Sequence, residues 1–414
     1  MKKLLIIGFV WPEPTTTAAG TRMLQLINVF QENGFEIHFA STAAKTSQSY
    51  DFSKTKIQTS AIELNNNSFN HFIEKFNPDI VLFDRYLTEE QFGWRVSESC
   101  PNTLKILDTE DLHFLRYARE ESFKKSIELS NELLFNDIAK REIASIYRCD
   151  ISLIISKYEM ELLTNKFKLN LNLLCYTPFL IDELNLNEFK NYPSFDERVD
   201  FMTIGNFKHK PNLQSVLTLK KVIWPKIKLK LPKAKIHIYG AYGNNETIIQ
   251  MHNEKEGFLI KGWAENKKIA FSQVRICLAP LLFGAGLKGK LIDAMRYGTP
   301  SVTTSIGSEG INGDLPWSGY IENDFNVFAN KAIELYQNEE LWLTMQLNGV
   351  EIINSNFSKK KYRSKLIRKI ECTLNNLKGF RNENFIGSML THHFSKSTKY
   401  MSKWIEEKNK NIKS

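Results

Sequence analysis

Short apolar runs of strand length alternate with helix-period segments through most of this chain, and the alternation starts afresh at its middle. LLIIGF leads through a long loop to the helical TRMLQLINVFQEN, closed by Gly34, and then to FEIHFAS. IQTSAIEL, the helical SFNHFIEKFN and DIVLFD behind Pro78 follow. TLKILD, a long charged helical stretch from about Phe114 to Tyr147, ISLIIS and a helix from Tyr158 complete the first series. Strand interiors this apolar predict a parallel sheet covered on both faces. A polar, irregular stretch from Asp182 to Asp200 intervenes, and the pattern resumes with DFMTIG, a helix over 212–230, AKIHIYG, a short helix near Thr247 and GFLIKGW. A helix near 266–272, RICLAP, a glycine-rich loop with its helix, and PSVTTS finish it. The fold class expected is α/β, two Rossmann-like, doubly wound parallel-sheet domains over residues 1–182 and 200–356. A linker at 183–199 joins them, and a basic helical tail occupies 357–414. Two such domains leave a cleft between the carboxyl ends of their strands, where ligands bind in open α/β sheets.

The composition supports this size of core, with 42% hydrophobic and 24% charged residues in 414. Five cysteines are scattered without a CxxC pair, which favours free thiols and a reducing compartment. The opening MKKLLIIGFVWPEP mimics a secretory signal, but its apolar run is brief and ends at Pro12. A first β-strand of a parallel sheet looks the same and fits the helix that follows. No run approaches the ~18 apolar residues of a membrane span, so a cytoplasmic chain is expected. Of the net charge of +9, residues 359–414 hold 15 Lys and Arg against 4 Asp and Glu, which leaves the remainder slightly acidic. The tail has no recognisable nucleic-acid motif. From Phe385 its apolar residues Ile386, Leu390, Phe394, Met401 and Trp404 or Ile405 recur at helical spacing with lysines between them. That apolar face is expected to pack, with an anionic membrane surface as an additional contact.

The most pointed motif is FGAGLKGKLIDAMRYGTPSV (283–302), a strand-following glycine turn with Lys288 and Lys290, then a helix closed by Gly298 and Pro300. The first N–H groups of such a helix lack partners and its dipole is positive there, so the place suits a phosphate. Gly284 and Gly286 let backbone approach closely, and Lys288 adds charge. Lys290, two residues on, is expected to point elsewhere. The alternative is a plain βα turn with glycine used only for positive φ.

Gly284, Gly286 and Gly289 also satisfy GxGxxG, so an NAD(P)-dependent oxidoreductase is an alternative. In that fold the motif follows the first strand and an acid ends the next, whereas PSVTTS ends in Thr and Ser. The stretch LDTEDLH offers Asp108, Glu110 and Asp111, either a metal-binding acidic cluster or a helix N-cap with first-turn dipole partners. No histidine pair has metal-ligand spacing and no hydrolase nucleophile motif occurs. What is left is chemistry on a phosphorylated substrate with no cofactor and no metal.

Over roughly residues 3–370 the chain resembles the two-domain GT-B retaining glycosyltransferases of group 1 (family 4). GNFKHKPN (205–212), FGAGLKGKLIDAMRYGTPSVTTSIGSEGI (283–311), AAGTRMLQL and KREIASIYRCDISLIISKYEMELL carry the resemblance. It implies transfer of a sugar from a nucleotide-diphosphate sugar to an acceptor hydroxyl, with retention, in polysaccharide or glycoconjugate synthesis. The acceptor would be a saccharide or lipid-linked. It also implies a tail that crosses back to the first domain. Of the family's two glutamates eight positions apart, the second corresponds to Asp293, which would accept from ribose hydroxyls, and the first to Ala285. Asn206 stands where a phosphate-facing Arg is usual and Lys210 lies near the Lys position, so Lys288 would supply charge. Glu110 takes the place of a first-domain histidine, leaving Asp111 or His113 to hold the reacting sugar or acceptor. Ala19 and Gly20 belong to the acceptor-side glycine loop. A non-catalytic nucleotide-sugar-binding module would share these features.

Overall fold

The computed structural model describes residues 1–185, 187, 192–241 and 246–413, with the side chains of 394–396 and 410–413 outside the description. Seven strands make the first sheet: β1 (Lys3–Gly8), β2 (Glu36–Ser41), β3 (Gln58–Ala61), β4 (Ile80–Asp84), β5 (Leu104–Asp108), β6 (Ile151–Ile154) and β7 (Leu174–Tyr176). All pair in parallel in the order β3-β2-β1-β4-β5-β6-β7. Alternate residues of a strand enter opposite cores, as the two-residue period requires. Leu4 and Ile6 pack with Met23, Leu26 and Phe30 of helix Ala18–Glu32, while Leu5 and Ile7 pack with Phe69, Ile73 and Phe92.

The second sheet holds β8 (Val199–Ile204), β9 (Ile236–Tyr239), β10 (Phe258–Gly262), β11 (Val274–Ala279), β12 (Ser301–Thr303) and β13 (Gly319–Ile321). It too is wholly parallel, in the order β10-β9-β8-β11-β12-β13. Phe201, Ile236 and Ile276 pack on Trp224, Phe328 and Trp342 on one face, and Met202 and Cys277 on Phe271 and Ala294 on the other. The first helix of this domain, Lys210–Lys230, carries a π turn at Leu219–Ile223 just ahead of Pro225. Proline has no N–H for the regular ladder, and the wider turn absorbs the misfit. Both doubly wound sheets expected from the alternation are present.

Several local expectations differ. The stretch 114–147 is three helices, His113–Lys125, Asn131–Leu134 and Asp137–Arg148, because Ser126 turns left-handed at φ 52° and Ser130 and Asn136 cap the next two. Four cysteines are buried and Cys372 is exposed, all as free thiols.

The chain crosses between domains twice, side by side: Ile181 N–H donates to Phe357 O at 2.9 Å and Lys359 N–H to Ile181 O at 2.8 Å. Helix Lys359–Asn375 then sets Tyr362, Leu366 and Ile370 into the core of the first domain. Arg381 in helix Leu377–Glu383 pairs with Asp150 at 2.7 Å. Helix Phe385–Lys413 lies on helices Arg85–Ser99 and Asp137–Arg148, with Arg95 bonded to Ser402 and Glu406. The stripe predicted to pack does so only in part: Ile386, Met401 and Trp404 are exposed, while Leu390 and Ile405 are half-buried. Small and polar residues share the contact, because buried Arg95 needs polar partners there. The side chain of Phe394 lies outside the described residues.

Candidate active site in the interdomain cleft

Strand order reverses at β1/β4 in the first sheet and at β8/β11 in the second, and the loops leaving these four strands face each other. Such switch points are where open parallel sheets bind ligands. Between them lies a cleft of about 490 Å³, lined from one side by 9–10, 12–13, 15–20, Arg85, Glu110, Asp111, His113 and Arg116. From the other side come 204–206, His209, Trp263, Lys267, the loop 283–290 and Asp293.

On the second-domain side, Lys288 precedes helix Gly289–Arg296 and is only 9% exposed, with Nζ donating to Gly286 O at 2.8 Å. Burial lowers its pKa to about 8 against the raising effect of Glu309. Lys290 is lowered to about 8 by burial as well, and its Nζ donates to Asn212 Oδ1 at 2.8 Å. Lys288 is buried and Lys290 half-buried, so an entering anion gains from each more than it would from a fully solvated lysine. Asp293 lies 3.6 Å from Lys267 Nζ and 3.5 Å from Arg296 Nη1.

The glycine loop is held by the first domain. Gly286 has φ +64°, and a Cβ there would stand 2.7 Å from Asp111 Cβ. Its N–H donates to Glu159 Oε1 at 2.8 Å. Gly289 approaches Ala18 as closely, leaving 2.7 Å for an added Cβ. Arg119 donates to Gly284 O and grips Glu309 through both terminal nitrogens at 2.8 and 2.7 Å.

On the first-domain side, Glu110 is 7% exposed at φ 60°, and its Oε1 is buried without a hydrogen-bond partner. Burial, then the neighbouring Asp108 charge, raise its pKa well above the carboxylate range. Burial alone would raise Asp111 too, but Arg116, bonded to both its oxygens at 2.8 and 2.6 Å, together with His113, Arg85 and His209 lowers it. His113 lies 3.6 Å from Asp111, and burial lowers it to about 4, leaving it neutral. This wall thus offers a buried carboxyl whose pKa is raised, a neutral imidazole and a cation-paired carboxylate side by side.

Neither sequence reading of LDTEDLH holds. Asp108 is fully buried and paired with Arg22 at 2.8 Å, and among the described residues no three metal-ligating side chains gather. Nor does this stretch cap helix His113–Lys125. Glu142 does so, accepting from the N–H groups of His113 and Phe114 at 3.2 and 3.1 Å. Of the residues expected at the site, Glu110, Asp111, His113, Asn206, Gly284, Ala285, Gly286, Lys288, Asp293, Ala19 and Gly20 line the cleft. Lys210 does not: it is exposed and spans the domains to Glu120 at 2.6 Å. Ala19 and Gly20 form the first helical turn, capped by Thr17, rather than a loop. Lys290 shares the cleft with Lys288 instead of pointing away, because the first turn of its helix opens into it. Arg85, Arg116, Glu159 and His209 went unnoticed in the sequence. Only DRY (84–86) gave a signal, a charged pair directly after an apolar strand.

Residues 198–338 match the family model of Glycosyl transferases group 1. The match takes in the second domain and, with the GT-B neighbours, marks the chain as a glycosyltransferase. Solved structures similar to this glycosyltransferase share its two-domain GT-B fold. A sucrose-phosphate synthase from Thermosynechococcus elongatus aligns at TM-score 0.69 and 14% identity over 90% of this chain and 100% of that one. A glycosyltransferase from Rickettsia africae aligns at 0.64 and 13% over 91% and 99%. Anabaena HepE in complex with UDP and glucose aligns at 0.65 and 9% over 90% and 100%. The glycosyltransferase is also 24% identical over 298 residues to an uncharacterised 44.6 kDa protein in the cps region of Klebsiella pneumoniae, covering 69% of this chain and 74% of that one. The GxGxxG of the glycosyltransferase follows β11, not the first strand of its domain, which is where a dinucleotide fingerprint would sit.

Proposed function

We propose that this enzyme transfers a glycosyl group from a nucleoside-diphosphate sugar to an acceptor hydroxyl, with retention at the anomeric carbon, in polysaccharide synthesis. The observation that carries the donor class is the pair Lys288, buried, and Lys290, half-buried, two cleft-lining cations at the mouth of helix Gly289–Arg296. A diphosphate is the group they fit. As the bond from the anomeric carbon to the diphosphate oxygen breaks, negative charge grows on the leaving group. Fixed cations and the helix dipole then stabilise the transition state more than the ground state. Asp293, the cleft-lining carboxylate of the same helix, would accept from the ribose hydroxyls.

The acceptor enters against the first-domain wall. Glu110, Asp111 and neutral His113 would hold its hydroxyl and the reacting sugar by hydrogen bonds, and the acceptor oxygen bonds to the anomeric carbon as its proton passes to the departing diphosphate oxygen. Closure of the domains keeps water from competing. No metal is needed in this scheme, the lysines taking that role. The HepE complex with UDP and glucose supports a nucleotide-sugar donor, and the cps-region relative supports polysaccharide synthesis, with a saccharide or lipid-linked acceptor. The test is a thermal-shift screen of nucleoside diphosphates and their sugars, followed by assay of nucleoside-diphosphate release with the donor that stabilises most. Stabilisation by diphosphates and release from one sugar donor are expected. Stabilisation by a nicotinamide dinucleotide alone would overturn the reading, and donor binding without any release would make the chain a binding module.

A further inference from the structure

Helix Phe385–Lys413 is seated on the first domain by its small and polar residues. Gly387 is buried against the carbonyl of Tyr147, and Ser402 accepts from Arg95 Nη2 at 2.9 Å. Glu406 pairs with the same guanidinium, and Lys399 with Glu98. At 100° per residue these positions share one side of the helix. The other side carries Phe385, Ile386, Met389, Tyr400, Met401 and Trp404, all between 46% and 74% exposed. An amphipathic helix ordinarily turns its apolar stripe to the core. Here two clusters, Phe385 with Ile386 and Met389, and Tyr400 with Met401 and Trp404, face out, and exposed apolar surface of this kind marks an interaction site.

Its charge selects the partner. Residues 385–413 contain six lysines against two glutamates, and Glu406 is already committed to Arg95. Lys403 and Lys408 are exposed beside the stripe, and the Lys408 ammonium lies 5.3 Å from the centre of the Trp404 ring. We propose that this stripe docks on an anionic lipid bilayer, the helix lying in the plane of the interface with its aromatic and thioether side chains inserted and its lysines at the headgroups. Two copies meeting through the stripe would bring the exposed Lys403 and Lys408 of both into one interface, a like-charge opposition. Among the described residues no helix is long and apolar enough to cross a membrane, so the contact is peripheral.

The seat of the helix has a consequence for the cleft. Helix Arg85–Ser99 carries the tail at Arg95 and Glu98, and its first residue, Arg85, lines the cleft. Ten residues of helix separate Arg85 from Arg95, about 15 Å. Docking would thus hold at the bilayer the same domain that carries this wall, as a lipid-linked acceptor requires. That last step rests on the transferase reading, whereas the docking itself does not.

The full chain is sedimented with vesicles of phosphatidylcholine, or of phosphatidylcholine mixed with phosphatidylglycerol, at low and high salt. It is expected to sediment with the mixed vesicles at low salt and much less with phosphatidylcholine alone. Met401→Glu with Trp404→Glu should lower the partition coefficient at least about tenfold, and Lys403→Glu with Lys408→Glu should abolish the preference for phosphatidylglycerol. Circular dichroism and nucleoside-diphosphate binding should match the parent, since these side chains are exposed and far from the cleft lining. A parent chain that stays in the supernatant at low salt, or sedimentation indifferent to Met401→Glu with Trp404→Glu, overturns the proposal. A dimer in light scattering that the same pair of substitutions makes monomeric overturns it in favour of a second copy. Because the vesicle assay uses no donor, its failure leaves the transferase reading standing.

Discussion

The backbone N–H of Gly286 donates to Glu159 Oε1 at 2.8 Å, so the glycine loop of one domain is held by a carboxylate of the other. The same Oε1 accepts from Leu112 N–H at 3.2 Å, at the entrance to helix His113–Lys125. One buried side chain thus fixes both walls of the cleft at once. The loop cannot offer that N–H to a phosphate in this arrangement, which moves the burden of anion binding onto Lys288 and Lys290.

Glu159 makes the arrangement sensitive to pH. Burial raises it to about 7, and burial raises Glu142 to about 8, against an ordinary value of 4.5. The folded chain therefore keeps protons that the unfolded chain has released, so stability falls as pH rises from about 5 to 8 and levels above that window. Glu159→Gln and Glu142→Gln should each flatten the fall of Tm across it. Curves parallel to the parent's would remove these two groups from the account.

Gly286→Ala should destabilise the protein by about 1–3 kcal/mol, the cost of holding a side chain at positive φ, with the Asp111 contact adding to it. Chemical denaturation measures this, and diphosphate affinity should fall with it because the loop must shift. A variant as stable as the parent would mean the loop has room that the geometry denies.

Asp293→Asn should weaken binding of a nucleoside diphosphate by about 1.5–3 kcal/mol through loss of a charged acceptor for ribose hydroxyls. Titration calorimetry with a ribo- and a 2′-deoxyribonucleoside diphosphate separates this from a general effect. The difference between the two ligands should shrink in the variant. An unchanged difference would make Asp293 only the partner of Lys267 and Arg296.

Arg119→Ala leaves Glu309 in the domain interface without its cation and Gly284 O without its donor. Loss of up to about 3 kcal/mol of stability is expected, together with a more open shape in small-angle scattering. If scattering is unchanged, this pair supports the loop alone and does not hold the domains together.

The strands were legible because their apolar runs are local, and eleven of them could be read directly; β7 and β13 were not. Helix Arg85–Ser99 was missed too. RYLTEEQFGWRVSES buries Glu89 and Arg95, and these are satisfied only by Arg148 and by Ser402 and Glu406, far away in sequence. At the site, glycine and lysine of the 283–302 motif announced themselves because a backbone constraint is written locally. Glu159 and Arg116 did not, because their roles arise from which loops the topology brings together. Lys290 was misjudged because spacing along a helix says where a side chain starts, and a long side chain at the helix mouth still reaches the cleft.

The central claim is that Lys288 and Lys290 hold a diphosphate, and calorimetric titration of a nucleoside diphosphate and of its nucleoside against the parent, Lys288→Ala and Lys290→Ala tests it most directly. With both lysines lowered to about 8, diphosphate affinity should decline as pH rises past that value while they lose their protons. Each substitution should cost diphosphate binding about tenfold or more and weaken its pH dependence, with nucleoside binding nearly unchanged. Diphosphate affinity that survives both substitutions at every pH would contradict the claim and reduce the loop to a turn that joins two domains.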